Sequence, residues 1–168
     1  VYVLQGDPIG NLCSDAVKMG MRVIAVRHEQ TATMAASAHS YLTRKCGVAM
    51  VASGPAHTNA LTGLANAWSN CWPVLLIAGS GENKRRHMGE FQEAPQVESS
   101  EPFCKLSYMV ENAGRIPVLI NTAIRKAMSG RPGPVYLDYP ADIITNTVEE
   151  DEVHFPQEYG APPRPQAD

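Results

Sequence analysis

Charge is scarce in this chain. Of its 168 residues 18% are Asp, Glu, Lys or Arg, and the formal net charge is −3. A weakly acidic balance disfavours a nucleic-acid binder that relies on bulk electrostatics. Long apolar runs are absent too: none approaches the ~20 residues that a transmembrane helix needs, so neither nucleic acid nor membrane is an expected partner. Residues 1–11 carry no basic segment and no long apolar stretch, and they do not read as a signal peptide. The four cysteines, Cys13, Cys46, Cys71 and Cys104, form no CxxC pair, which removes a zinc knuckle and a thioredoxin motif. They read as reduced core thiols in a reducing compartment, so the expected location is intracellular, cytoplasmic or peroxisomal. No segment recurs with the ~20–50-residue period of a solenoid.

What is present is an ordinary globular hydrophobic fraction, 44%, with 13 Gly and 13 Pro. Apolar runs and helical periods alternate along the chain. Strands are expected over 1–4, 21–26, 48–52, 74–78 and 135–138, and helices over 11–19, 29–44, from 57 or 58 to about 69, and 116–128. Leu12, Ala16 and Met19 mark one face of the first helix. Met34, Ala38 and Leu42 show helical spacing in the second, and Leu61, Leu64, Ala65 and Trp68 share a side of the third. Residues 80–102 read as irregular apart from a short helix. Strands that are apolar on both faces and alternate with helices indicate an α/β fold: a parallel sheet with helices on both faces. The domain proper is expected over 1–148. Residues 149–168 hold six acids against Arg164 and four prolines, and read as an acidic, Pro-rich linker. Both ends are expected to be cuts through a longer polypeptide.

Ligands of such sheets bind beyond the carboxyl ends of the strands, which directs attention to Gly6-Asp7-Pro8, Arg27-His28-Glu29-Gln30, 53–59, 79–92 and 139–142. Glu29 reads either as a helix-start carboxylate beside the helix dipole or as an acceptor placed at the ligand edge. His28 has no suitably spaced second histidine and reads as structural or exposed. The segment Ser53-Gly54-Pro55-Ala56-His57-Thr58-Asn59 lacks GxGxxG, the P-loop lysine and GxSxG. It is either a tight turn for close helix packing or a backbone, Thr58 and Asn59 contact surface for a flat heteroaromatic ligand. Lys84-Arg85-Arg86-His87 reads as a solvated loop, with anion contact as the alternative. The loop that follows carries Phe91 and Gln92.

Five segments together, 26–30, 53–59, 70–73, 91–93 and 131–138, resemble thiamine-diphosphate-dependent enzymes of the acetolactate synthase type, in their N-terminal, pyrimidine-binding domain. Asn70-Cys71-Trp72-Pro73 and Met88-Gly89-Glu90-Phe91-Gln92-Glu93-Ala94-Pro95-Gln96 narrow it toward the 2-hydroxyacyl-CoA lyase and oxalyl-CoA decarboxylase branches. The resemblance implies thiamine diphosphate as cofactor, with Glu29 hydrogen-bonding its pyrimidine ring nitrogen and promoting the imino tautomer. It further implies cofactor contacts from Gly6, Pro8, Pro55, Thr58 and Asn59, and catalytic places for Glu29, Phe91 and Gln92. Phe91-Gln92, where decarboxylases have Tyr-Glu, leans toward carbon–carbon cleavage of a 2-hydroxyacyl-CoA to an aldehyde and formyl-CoA. Oxalyl-CoA decarboxylase and acetolactate synthase chemistry are the alternatives, and a non-catalytic dimerisation or regulatory module is the alternative of another class.

The family's Gly-Asp-Gly and Asn-Asn motif for Mg2+ and diphosphate does not occur in these residues. The resemblance implies that a further domain holds Mg2+, and that 149–168 leads to a middle domain. The chain alone is expected to be inactive and to act on an acyl-CoA only as part of a longer protein. A homodimer or homotetramer is expected through the small-residue helices carrying 32–38 and 61–68.

Overall fold

The computed structural model describes residues 1–156. Six parallel strands form one sheet in the order β2-β1-β3-β4-β6-β5: β1 (Tyr2–Leu4), β2 (Ile24–Ala25), β3 (Gly47–Val51), β4 (Val74–Ser80), β5 (Ser107–Met109) and β6 (Val135–Pro140). Between them run α1 (Gly10–Lys18), α2 (Glu29–Thr43), α3 (Pro55–Asn70), the short α4 (Gln96–Ser100) and α5 (Ile116–Met128), with α6 (Ala141–Ile144) after β6. The parallel α/β architecture expected from the alternation is therefore present.

The sheet separates two cores of different composition. On one face α2 and α3 pack through Ala32, Ala36, Ala56, Ala60 and Ala67 against Ala49, Val51, Leu76 and Ala78. On the other, α1 and α5 bury Ile9, Cys13, Ala123 and Ala127 against Val3, Leu75, Ile77, Val135 and Leu137. The backbones of α2 and α3 approach closely at Gly63: a Cβ there would lie 1.8 Å from Thr33 Oγ1 and 2.4 Å from Thr33 Cβ. Thr33 Oγ1 also donates across the seam to the Ala60 carbonyl at 3.2 Å.

Local chemistry sets the helix ends. His28 is extended and its Nδ1 accepts from the Gln30 amide at 3.1 Å, so it caps α2. Arg44 closes that helix in the left-handed conformation at φ 59°. Pro55 stands in the first turn of α3, where its missing N–H costs nothing. Lys105 Nζ donates to the Lys126 and Ser129 carbonyls at the end of α5, a placement that suits the helix dipole.

Several expectations need correcting. The run 21–26 yields strand only at Ile24–Ala25, because β2 lies at the sheet edge against a three-residue neighbour and Met21 and Arg22 stay exposed. Met34, Ala38 and Leu42 do not face the core. The buried stripe of α2 is Glu29, Ala32, Thr33, Ala36, Ser37 and Ser40, because the close seam admits only small side chains. Met19 is likewise exposed, at 83%. α3 begins at Pro55 rather than at 57 or 58. β5 was not anticipated, since Ser107-Tyr108-Met109 is half-buried and carries no continuous apolar run. Ala32, Ala36, Ala60, Gly63 and Ala67 pack within the chain, while Ala35, Ala38, Thr62 and Ala65 of the same two helices keep part of their surface exposed. Of the acidic tail, the Glu150–Glu152 turn is followed by a bond from the His154 amide to the Gly114 carbonyl at 3.2 Å. Residues 157–168 lie outside the described residues.

Candidate functional site

The chain leaves β1 for β2 on one side and later enters β3 on the other, so the sheet order reverses between β1 and β3. The carboxyl edge at such a reversal is open to a ligand. Three connections meet there: the turn 5–8 after β1, the start of α2, and the turn 52–54 before α3. Ser53 ties the first to the third, its amide and hydroxyl both 3.3 Å from the Asp7 carbonyl.

Glu29 is the first residue of α2 and only 8% exposed. Asn59, in the second turn of α3, donates from Nδ2 to Glu29 Oε2 at 3.0 Å. The Gly63–Thr33 contact lies one helical turn beyond this pair, so the narrow seam holds the two side chains together. Among the described residues no donor engages Glu29 Oε1 and no cation pairs with the carboxylate. A buried carboxylate at a helix N-terminus with one oxygen free can accept from, or share a proton with, a ring nitrogen.

Beside it lies an open cleft lined by Gly54, Pro55, Thr58, Asn59, Gln92, Glu93 and Ala94. Thr58 Oγ1 donates to the Gly54 carbonyl at 3.0 Å, fixing the first turn of α3. Ser53 Oγ lies 2.8 Å from Gln92 Oε1, which brings the 81–95 loop down onto the turn. The structure thus brings Pro55, Thr58, Asn59 and Gln92 to one cleft, and Glu29, which does not line it, is joined to it through Asn59. It places Gly6 and Pro8 one step away: a Cβ at Gly6 would lie 2.7 Å from Ala52 Cβ, and Pro8 packs against Gly79. Phe91 stands apart, 70% exposed on the loop.

A second cavity, of about 510 Å³, lies across the loop and shares Glu93 and Ala94 with the cleft. Ser80, Arg86, Glu90, Gln96 and Asp138 line it, and Glu29 does not. Arg86, which lines the cavity, pairs with Glu98 at 3.1 Å; beside it on the loop Arg85 pairs with Glu90 at 2.7 Å and Lys84 with Glu82 at 3.2 Å. Lys84, Arg85 and Arg86 are therefore ion-paired, and the His87 amide donates to Glu93. Among the described residues no group of three or more His, Cys, Asp or Glu could hold a metal ion.

Between cleft and cavity runs a buried polar network that the sequence did not reveal. Gln96, 3% exposed, accepts from the Gly54 amide at 2.6 Å through Oε1. Its Nε2 lies 2.7 Å from Asp138 Oδ1, 2.9 Å from Tyr136 Oη and 3.0 Å from the Gly79 carbonyl. Tyr136 Oη and Ser80 Oγ also donate to Asp138, at 2.5 and 2.8 Å. Burial raises the Asp138 pKa, opposed by these hydrogen bonds, and burial with the adjacent Asp138 raises Tyr136. His57, 1% exposed, is pushed down to about 4 by burial and bonds Ser100 Oγ at 2.7 Å, so it is neutral at pH 7. The signal for Gln96 was its place in the PQ pair that ends the 88–96 segment; its partners lie 42 positions upstream at Gly54, 17 upstream at Gly79, and 40 and 42 downstream at Tyr136 and Asp138.

Comparison with known proteins fits this geometry. Residues 1–99 match the family model described as "Thiamine pyrophosphate enzyme, N-terminal TPP binding domain". Human 2-hydroxyacyl-CoA lyase 1 is 40% identical over 163 residues, which is 97% of this chain and 28% of that protein. The 2-hydroxyacyl-CoA lyase of Arabidopsis thaliana is 42% identical over 152 residues, 90% of this chain and 27% of the relative. Oxalyl-CoA decarboxylase of Escherichia coli K12 is 37% identical over 154 residues, with the same two shares. The chain spans little more than a quarter of the length of these relatives. On the match over 1–99 and the parallel sheet that carries it, the chain belongs to the thiamine pyrophosphate enzymes, in their N-terminal TPP binding domain.

Proposed function

We propose that this chain is the pyrimidine-binding part of a thiamine-diphosphate-dependent lyase that cleaves a 2-hydroxyacyl-CoA to an aldehyde and formyl-CoA. The observation that carries the reading is Glu29: a buried carboxylate at the carboxyl edge of the sheet, held through one oxygen by Asn59, with the other oxygen free. Bound thiamine diphosphate supplies a carbon nucleophile at its thiazolium ring. Glu29 shares a proton with the pyrimidine ring nitrogen, and Asn59 keeps the carboxylate from rotating away. Pro55 and Thr58 form the wall of the cleft beside that ring, and Gln92 closes it from the loop. Phe91, exposed on the loop next to Gln92, would contribute an apolar contact to the substrate. Gly6 and Pro8 shape the neighbouring edge, which the Ser53 bonds to Asp7 tie to the cleft.

In this reading Mg2+ and the diphosphate are held by residues outside this chain, and the chain alone does not turn over substrate. The whole protein is a homodimer or homotetramer, and α2 and α3 would meet a second copy through the faces they leave exposed, which carry Met34, Ala38, Leu42, Thr62 and Trp68.

The test gives the whole protein thiamine diphosphate, Mg2+ and either a 2-hydroxyacyl-CoA or oxalyl-CoA. Aldehyde and formyl-CoA in equal amounts from the first substrate are expected. Turnover of oxalyl-CoA alone would replace the lyase reading with the decarboxylase one. Tight cofactor binding without turnover of either would favour a regulatory module.

A further inference from the structure

Gln92 is held in a conformation that it would not choose. Its φ is 57°, in the left-handed region that non-glycine residues enter at a cost. Such a conformation persists only where the surroundings over-determine it, and here they are visible. The Gln92 backbone rests on Gly54, where a Cβ would lie 2.5 Å from the Gln92 carbonyl oxygen and 2.8 Å from Gln92 Cβ. Gly54 is itself at φ 57°. Ser53, 2% exposed, has Oγ 2.8 Å from Gln92 Oε1. The seat cannot drift, because the Gly54 amide is bound to Gln96 Oε1, and Gln96 Nε2 faces the ends of β4 and β6.

A carboxamide has an acceptor end and a donor end. Ser53 Oγ has two acceptors within reach, Gln92 Oε1 at 2.8 Å and the Asp7 carbonyl at 3.3 Å; its single proton goes to the nearer one, the acceptor end of Gln92, while the Ser53 amide holds Asp7, and Gln92 lines the cleft with Pro55, Thr58 and Asn59. We propose that Ser53 is a positioning residue that turns the Gln92 carboxamide so that Nε2 donates into the cleft, to the thioester oxygen of the bound acyl-CoA. That oxygen gains negative charge when its carbon is attacked, so a fixed N–H aimed at it lowers the barrier without reorganising. A freely rotating amide would present its oxygen to the same place for part of the time and oppose the charge. The proposal rests on the reading of the cleft as the site of 2-hydroxyacyl-CoA cleavage.

A double-mutant cycle in the whole protein tests it, with 2-hydroxyacyl-CoA turnover as readout. Gln92→Ala is expected to lower kcat by ~10²–10³-fold, the scale of losing one oxyanion donor. Gln92→Glu keeps an acceptor for Ser53 but loses the donor, and should fall at least as far. Ser53→Ala should lower kcat by roughly tenfold in the wild-type background and by less than about twofold in the Gln92→Ala background, because residues that act as a unit are not additive. Ser53→Thr, which retains the hydroxyl, should recover most of the loss. Equal costs of Ser53→Ala in both backgrounds would make Ser53 a purely structural residue and overturn the proposal. So would a Gln92→Glu variant with wild-type kcat.

A crystal structure of the Ser53→Ala protein gives a readout independent of turnover: the Gln92 carboxamide should leave its present orientation. An unmoved carboxamide overturns the role of Ser53 whatever the substrate proves to be. A rotated carboxamide in a protein that does not cleave 2-hydroxyacyl-CoA supports the seat and sinks only the functional reading. Should Ser53→Ala fail to fold, Ser53→Cys, with similar volume and a weak donor, takes its place in both experiments.

Discussion

Glu29 is nearly buried, and among the described residues its carboxylate has one hydrogen-bond partner, the neutral amide of Asn59. Among the described residues the one buried side-chain oxygen without a partner is Tyr139 Oη, so the second Glu29 oxygen keeps access to solvent and is open to a ligand. Glu29→Gln in the whole protein should therefore leave the fold intact and lower turnover by ~10²–10⁴-fold, the range for losing acid–base assistance. Thiazolium C2 proton exchange, followed by NMR, checks it; exchange at the wild-type rate would remove Glu29 from its proposed role. His57 supports a different expectation. The unfolded chain protonates it near 6.5 and the folded chain only near 4, so falling pH favours the unfolded state across that window. The loss is about 3 kcal/mol at most. Asp138, whose pKa is raised, works in the opposite direction. Urea melts between pH 7 and 4 should show the decline, and a His57→Gln variant should flatten it. Glu29 was legible in the sequence because its position, after a strand and opening a helix, is local. Gln96 was not, because its four partners come from three other parts of the chain and no neighbouring residue marks them.

The seam between α2 and α3 shows how an element can mislead. Apolar spacing in α2 picks out Met34, Ala38 and Leu42, yet the helix buries alanine, serine and threonine instead. Hydrophobic periodicity measures which face could be buried; here the distance between backbones decides which face fits. Gly63→Ala tests that distance. Its methyl would collide with Thr33, so the helices must separate, at a cost of about 1–3 kcal/mol. Thermal melting should show the destabilisation. The same shift should lengthen the Asn59–Glu29 bond and weaken thiamine diphosphate binding, which calorimetry on the whole protein would detect. Unchanged binding despite a lowered melting temperature would separate the seam from the site.

Across the whole molecule the sheet is uneven. β3, β4 and β6 are buried almost throughout, whereas β2 has two residues and β5 three half-buried ones, both at edges. Native-state hydrogen exchange should reflect this, since the lowest openings expose the least buried surface. Amides of Val51, Leu76 and Leu137 should exchange only with global unfolding, and those of Ala25 and Tyr108 well before. Equal protection at edge and centre would mean that the sheet opens as one unit. The central strands were readable because each is a continuous apolar run bounded by Gly or Pro. The edges were not, because a strand paired on one side needs no such run.

The two unlike cores leave the chain with two different kinds of tolerance to inherited change. Along the α2–α3 seam most buried helix positions already hold Ala, Gly, Ser or Thr, so most replacements there are enlargements, and enlargement is resisted by a backbone with nowhere to go. On the α1–α5 face the strands present Leu, Ile and Val, and loss of volume is the injury there. Drift should therefore exchange alanine with serine or glycine on the first face and one branched aliphatic with another on the second. Because Glu29 and Asn59 both stand on the first face's helices, the half of the domain that evolution can least inflate is also the half that carries the proposed chemistry.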